Sequence, residues 1–596
     1  MTANGQGRDT PGTAREELTL RRLFLSLRVL SPLRPSEQQL LLLWAAIVGF
    51  LGAAAALLFQ LATTVVQRLF TGHGGDVVAA FALLPWWQRL VVPIAGGALA
   101  GVVLTFASRL FRRRETDYME AVSLGDGDLP LRPSLARATA ALLSIASGEA
   151  IGREGPLVQL AAITGSLSGR LQRMSAARRR MLVACGAAAG MAAAYHTPLG
   201  GALFVGEIVL GSLAMEALGP LLIASVVSAL TVRSVQGVGP LYRYGDFGAA
   251  GIWEFALFAL LGAACGVGAA GWIRLLRKGK KWFGAVPGPT WLRLALGGAV
   301  VGALAVWHPE MTGNGTTLIR GILAADYAWR MVLILLLLRI VATVATFGSG
   351  AVGGVFTPSL LIGGSIGFLF AAGAAALWPS AGIDAGGFAL IGMGSFMAGA
   401  AQAPITAVLM LFEFTLQYEI VLPLMVGVVI AYFTARAFGS EGLYAESLRA
   451  GPRSLFDRRL ESLTVGDLLR PASQPLRIDA PFREIARNFL RSSDREQWIA
   501  GPDGRLAGVV CLRDVEPFLR DAHVAETILA VDILHTDIPS LRVDESLTAA
   551  LERFTQHPHD TLPVVDDGAR LLGSLVREDL LLTISELAAR ERTRTP

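Results

Sequence analysis

The residues best placed to do chemistry in this 596-residue sequence are one carboxylate and two sets of backbone amides. Gly152-Arg153-Glu154-Gly155-Pro156 and Gly354-Val355-Phe356-Thr357-Pro358 share one frame, a glycine followed four residues later by a proline. Glycine breaks a helix and proline suits the first turn of a new one, so each stretch predicts a helix N-terminus. Such a terminus presents unpaired N–H groups and roughly half a positive charge, and it attracts anions. The first copy carries an acid between its glycines and the second does not. A carboxylate at such a place competes for the anion's seat and leaves it when protonated. Glu154 is therefore the candidate gate or proton carrier, with Gly152, Arg153 and Gly155 around it. The ordinary alternative is an ion pair between Arg153 and Glu154.

The surrounding composition says what must hold these turns. Hydrophobic residues make up 53% of the chain, charged residues 17%, and mean hydropathy is +0.52. Soluble proteins carry about one quarter charged residues, so the chain is read as a membrane protein. Charge is unevenly spread: 43 of the 146 residues from Gly451 to Pro596 are Asp, Glu, Lys or Arg, against 56 of the 450 before them. That contrast predicts an N-terminal segment over 1–37, a membrane domain over 38–450 and a polar domain over 451–596. Six arginines in residues 1–37 precede an uncharged run, 38–67, that is too long for a signal-peptide core. By the positive-inside rule the N-terminus is expected in the cytoplasm, and the polar C-terminal domain is expected on the same side.

Simple spanning helices would give uncharged runs of about 20 residues. The run 340–383 is more than twice that length. Its Gly348-Ser349-Gly350 break and the restart at Thr357-Pro358 put a helix N-terminus inside the membrane. Irregular backbone at that depth is tolerated where it lines a cavity or is buried in protein. The sequence also repeats. Arg137 to Pro156 matches Arg339 to Pro358 at an offset of 202, and Met191 to Glu207 matches Met397 to Glu413 at 206. Two related halves are expected, with a site between half-helix termini. Moving a bare ion into a low-dielectric medium costs on the order of 20 kcal/mol, so several dipoles must converge on it.

Other chemistries find little support. No basic face interleaved with aromatics points to nucleic acid. Cys185, Cys265 and Cys511 are far apart in sequence and are read as packing residues. His523, His535, His557 and His559 are read as solvated, with no metal site expected. Gly363-Gly364-Ser365-Ile366-Gly367 fits a nucleophile-elbow pattern, but the strand-turn-helix context and a histidine partner are missing, so no enzyme is expected.

On the G-[KR]-E-G-P stretch 152–156, the G-x-F-x-P stretch 354–358 and the Ala187-to-Ala194 run, the sequence resembles the ClC chloride channel and chloride/proton antiporter family over essentially its full length. Thr116 to Val122 looks most like that family's bacterial ClcB branch. The resemblance implies a homodimer in the bacterial inner membrane, an inverted repeat of broken, tilted helices, and chloride or another small anion as cargo. It implies an anion site built from the amides of Val355 and Phe356 and the hydroxyl of Tyr444, gated by Glu154.

Two departures stand out. The family's G-S-G-I-P motif is replaced by Arg112-Arg113-Arg114-Glu115-Thr116, leaving the site serine without a counterpart. At the internal acid of antiporters, Glu207 is followed by Ile208, which cannot carry a proton. Passive conduction gated by voltage or pH, an electrical shunt, is the expectation, and chloride/proton antiport the alternative. Glu149 is an extra acid with no assigned role. The tail resembles a pair of α/β CBS domains, in which Asp514 and Asp579 match ribose-binding aspartates. The usual Ser or Thr three residues earlier is Cys511 and Val576. An adenine nucleotide is the possible ligand, a structural, dimer-supporting role the alternative, and no cofactor is required.

Overall fold

The computed structural model describes residues 37–111, 116–237, 239–245, 247, 251–445, 463–492, 494–520, 527–557 and 559–594. The expected N-terminal segment and the Arg112-to-Glu115 departure fall outside them. The chain divides into two units, Met1–Ala450 and Gly451–Pro596.

The first unit is all helix. Its first half runs α1 (Glu37–Thr71), α2 (Val77–Leu83), α3 (Trp86–Leu110), α4 (Tyr118–Ser123), α5 (Leu131–Ala146), α6 (Glu154–Leu171), α7 (Ala176–Tyr195), α8 (Pro198–Phe204) and α9 (Met215–Gln236). The second half runs α10 (Glu254–Gly284), α11 (Thr290–Trp307), α12 (Thr316–Leu323), α13 (Trp329–Ser349), α14 (Phe356–Leu377), α15 (Ala385–Ala401), α16 (Pro404–Thr415) and α17 (Val421–Ala437). Among the described residues seven helices are long and apolar enough to cross a membrane, and four more apolar helices are shorter. The long uncharged run is two helices, α13 and α14, as the glycine break requires.

The repeat extends through the packing. α6 lies on α7 as α14 lies on α15, and α1 meets α9 as α10 meets α17. The helices approach closely at glycines in equivalent places: a Cβ on Gly165 would collide with the Leu182 carbonyl, and one on Gly367 with the Phe388 carbonyl. Small residues let backbones meet where no hydrophobic force separates protein from lipid. This explains the glycines of 363–367. Ser365 sits inside α14 and donates to the Leu361 carbonyl at 2.8 Å, so the stretch is a packing seam and not an elbow.

Related positions also share backbone conformations. Gly148 and Gly350, which follow α5 and α13, have φ of +88° and +99°, the left-handed region that glycine enters without cost. One matched pair has diverged: Arg339 is fully buried and donates to the carbonyls of Met311 (2.9 Å) and Gly313 (2.6 Å), whereas Arg137 lines a cavity.

Glu149 is fully buried, and neither carboxylate oxygen has a hydrogen-bond partner. A buried polar group left unmatched costs about 1–3 kcal/mol. Glu149→Leu is therefore expected to raise the unfolding temperature of the protein in detergent; a lowered midpoint would reveal a stabilising role for the acid.

The second unit holds two copies of one pattern in a constant register, Leu476 answering to Leu541 and Cys511 to Val576. The first copy runs β1 (Leu476–Arg477), α18 (Phe482–Arg491), β2 (Glu496–Ala500), β3 (Leu506–Cys511) and α19 (Leu512–Val515). The second runs β4 (Leu541–Arg542), α20 (Leu547–Gln556), β5 (Thr561–Val565), β6 (Leu571–Val576) and α21 (Arg577–Arg594). Each sheet pairs its first two strands parallel and its last two antiparallel, with a bulge at the same place. The copies grip each other reciprocally, Arg470 bridging to Ser574 and Val509 to His535.

Candidate functional site

Both glycine-proline turns begin helices, as the sequence requires, α6 at Glu154 and α14 at Phe356. They meet directly. Gly152 N donates to Gly354 O at 2.7 Å and Gly354 N to Gly152 O at 2.9 Å, an antiparallel bridge between the two halves. The two members of the repeat thus face each other across a local two-fold relation, and their N-termini converge on one place.

Glu154 occupies that place. Its side chain is buried, and Oε1 accepts from Phe356 N at 2.9 Å and Thr357 N at 3.2 Å, while Oε2 has no hydrogen-bond partner. The carboxylate sits where an anion at the α14 N-terminus would sit. The expected amides were those of Val355 and Phe356; the donors to Glu154 lie one residue later because the helix begins at Phe356, which leaves Phe356 N and Thr357 N among its unpaired first-turn groups. Among the described residues no ion pair joins Arg153 to Glu154.

Of the expected residues, Glu154, Gly155, Val355 and Tyr444 line, with Gly354, a cavity of about 400 Å³, whereas Gly152, Arg153 and Phe356 are not part of its lining. A water occupies about 30 Å³ of liquid, so the space holds an ion together with its hydration shell. Tyr444 stands edge-on to Phe204, ring centroids 5.4 Å apart, and is positioned by the bond from Leu443 N to Ala400 O (2.8 Å). Tyr195 donates to or accepts from Thr357 Oγ1 at 2.8 Å and packs on Phe356, which fixes the α14 terminus.

Sequence reasoning missed several parts of this cavity. Arg137, Arg277 and Lys280 line it, Arg277 being paired with Glu441 at 2.8 Å. Thr116, Asp117 and Tyr118 line it beside the replaced motif, held by Gln159, which accepts from Tyr118 N at 2.9 Å and donates to Thr116 O at 3.3 Å. Arginines are too common here for Arg137 and Arg277 to stand out, and Lys280 sits in a basic stretch, 277–281, that reads as a helix end.

Ile208 lies in a single π turn, Val205–Leu210, that extends α8, and its side chain is buried in the hydrophobic core. Its neighbour Glu207 crosses to the other half. Glu207 accepts from Ile405 N (3.2 Å), Thr406 N (2.8 Å) and Thr406 Oγ1 (2.6 Å) at the start of α16. Glu413 returns the contact, accepting from Leu199 N (3.0 Å) and Gly200 N (2.7 Å) at the start of α8. The residues preceding these helices, Thr197 and Ala403, make no side-chain cap, so each acid caps the other half's helix.

In the tail the two matched aspartates are engaged by equivalent residues of the opposite copy. Asp514 accepts from Cys511 N (3.1 Å) and contacts His535 Nε2 (2.9 Å), and Asp579 pairs with Arg470 at 2.5 Å. His559 corrects its reading as solvated: its side chain is 11% exposed and lies 3.3 Å from Glu496, because the loop before β5 folds onto the β2–β3 sheet. Burial, with Asp560 adding to it, pushes the Glu496 carboxyl up to about 7. His523 lies outside the described residues.

Comparison with known proteins agrees with this architecture. The family model described as voltage gated chloride channel matches residues 108–436, and that of the CBS domain matches 530–586. A chloride channel protein described as ClcB-like from Ralstonia nicotianae is 43% identical over 68% of this chain and 95% of its own length. The voltage-gated ClC-type chloride channel ClcB of Escherichia coli K12 is 34% identical over 68% of this chain and 98% of its own. Among solved structures, a slow cyanobacterial Cl⁻/H⁺ antiporter superposes with a TM-score of 0.61 at 25% identity, covering 69% of this chain and 97% of that one. A eukaryotic CLC transporter superposes with a TM-score of 0.59 at 19% identity, covering 90% and 97%, and so shares the fold. With a family match over more than half of its length and these relatives covered almost end to end, the chain belongs to the voltage-gated chloride channel (ClC) family.

Proposed function

We propose that the protein carries chloride or another small anion passively across the bacterial inner membrane, as an electrical shunt, with Glu154 as its gate and both termini in the cytoplasm. The observation that carries this reading is the Glu154 carboxylate seated on the Phe356 and Thr357 amides. An anion and this carboxylate compete for one pair of donors; protonation neutralises the side chain and frees them. Basic residues Arg137 and Lys280 in the lining, with Arg277 held by Glu441, favour an anion in the cavity. A homodimer, each subunit with its own pathway, is the assembly we infer from the family.

Passive flow is favoured over proton exchange by the fate of the second acid. Ile208 cannot carry a proton, and Glu207 beside it is committed to the α16 N-terminus. Antiport keeps one specific support: the cavity reaches Glu154 and is lined by Asp117, so water there offers a proton a way round Ile208. For the tail we infer a structural, dimer-supporting role. A ribose at Asp514 or Asp579 has to displace His535 or Arg470.

The deciding experiment is chloride efflux from liposomes containing the purified protein, with external pH recorded, with and without valinomycin. Efflux that depends on valinomycin and moves no protons is expected. Uphill proton movement driven by the chloride gradient would overturn the passive reading and establish exchange.

A further inference from the structure

The sheet of the first tail copy carries a set of residues that its twin lacks. In the antiparallel pairing of β2 and β3, Glu496 lies directly opposite Cys511, so the two side chains share one face of the sheet. Further along this face Trp498 and Val509 pack against Leu571 and Ile538 of the second copy. At its edge the second copy adds His559. The His559 Nδ1 is 3.3 Å from Glu496 Oε1, and one ligand atom from each of Glu496, Cys511 and His559 lies within 4.8 Å of the others.

Three features distinguish this cluster from ordinary packing. Glu496 Oε2 is buried with no hydrogen-bond partner, in a side chain that is only 12% exposed. In the internal repeat of the tail, Thr561 and Val576 stand where Glu496 and Cys511 do, and Asp494 answers to His559, so the same sheet is built without this set. Last, the set combines a thiol, an imidazole and a carboxylate, the three donor types that zinc accepts.

We propose that Glu496, Cys511 and His559 bind one zinc ion per chain, clasping the two copies of the tail together. Zinc–ligand bonds of about 2.0–2.3 Å put tetrahedral ligands roughly 3.3–3.8 Å apart, so the cluster, whose ligand atoms lie within 4.8 Å, closes by about 1.5 Å at most. Binding releases the Cys511 thiol proton to solvent. The ion's two positive charges then balance one thiolate and one carboxylate, with neutral His559 as third ligand and water as fourth. A buried site with no net charge avoids the penalty of an isolated ion. Two ligands come from the first copy and one from the second, so the metal joins segments far apart in sequence and stabilises the folded tail by mass action.

The test uses the tag-free full-length protein in detergent, stripped with EDTA and equilibrated with zinc chloride. One zinc per chain is expected by metal analysis, together with a higher unfolding temperature than in magnesium. Cys511→Ser and His559→Ala are each expected to weaken zinc binding by more than about tenfold, whereas Asp494→Ala leaves it intact. With cobalt(II), a thiolate-to-metal charge-transfer band is expected in the wild type and not in Cys511→Ser. In wild-type protein, zinc is expected to protect the Cys511 thiol from a thiol-reactive disulfide reagent, a measurement that does not depend on any variant folding. Sub-stoichiometric zinc, binding unchanged in Cys511→Ser, or an unprotected thiol would each overturn the proposal. None of these outcomes bears on anion transport.

Discussion

Replacing Glu154 by glutamine is expected to flatten the pH response of anion flux and to raise flux at neutral pH about tenfold. In the wild type a charged carboxylate holds the Phe356 and Thr357 amides, and flux should rise as pH falls and the side chain takes up a proton. Hydrogen bonds to a charged group are worth about 1.5–3 kcal/mol and neutral ones about 0.5–1.5, so the amide competes less well by roughly 1.4 kcal/mol, a factor of ten. Glutamine also presents an NH₂ group that cannot accept from the helix terminus. Liposome flux between pH 5 and 8 measures both effects. A glutamine variant that keeps the wild-type pH profile would remove Glu154 from the gate.

The second large effect concerns stability. Glu207→Ala and Glu413→Ala are each expected to destabilise the membrane unit by about 2–4 kcal/mol, since each removes two charge-assisted bonds from backbone amides of a helix N-terminus that has no cap of its own, Glu207 losing the Thr406 hydroxyl bond as well. Partial exposure of both acids keeps the figure below the sum for fully buried bonds. Thermal unfolding in detergent reads the loss. Glutamine at either place retains one acceptor oxygen and should recover about half of it. If both alanine variants unfold at the wild-type temperature, the reciprocal caps do not hold the halves together.

Much of this arrangement was legible before any coordinates. The offset of 202 identified the two turns that meet at Gly152 and Gly354, and the unequal residues inside them singled out Glu154. Backbone breaks at glycine and restarts at proline are local, so sequence carries them. The offset of 206 aligned Glu207 with Glu413, but alignment shows only that two residues correspond. Which amides they reach depends on how one half crosses the other. Arg137 and Arg339 make the same point in reverse: they correspond in sequence, yet one faces a cavity and the other is spent on two carbonyls. The Glu496, Cys511 and His559 cluster was hidden for a further reason. Strand register brings the first two together across the β2–β3 hairpin, and packing between the two copies brings the third from the loop before β5.

The bridge between Gly152 and Gly354 has a consequence for speed. Because each turn is hydrogen-bonded to the other, neither can swing aside without dragging its partner, and the floor beneath Glu154 is fixed. On the proposed gating by Glu154, opening is a rotation of one side chain about its own bonds, with no rearrangement of helices to wait for. A single rotating side chain, even one buried as Glu154 is, moves far fewer atoms than a helix, whose movements take microseconds to milliseconds. The dwell time of the closed pathway should accordingly be set by how often a proton arrives, and should shorten in proportion as buffer concentration rises.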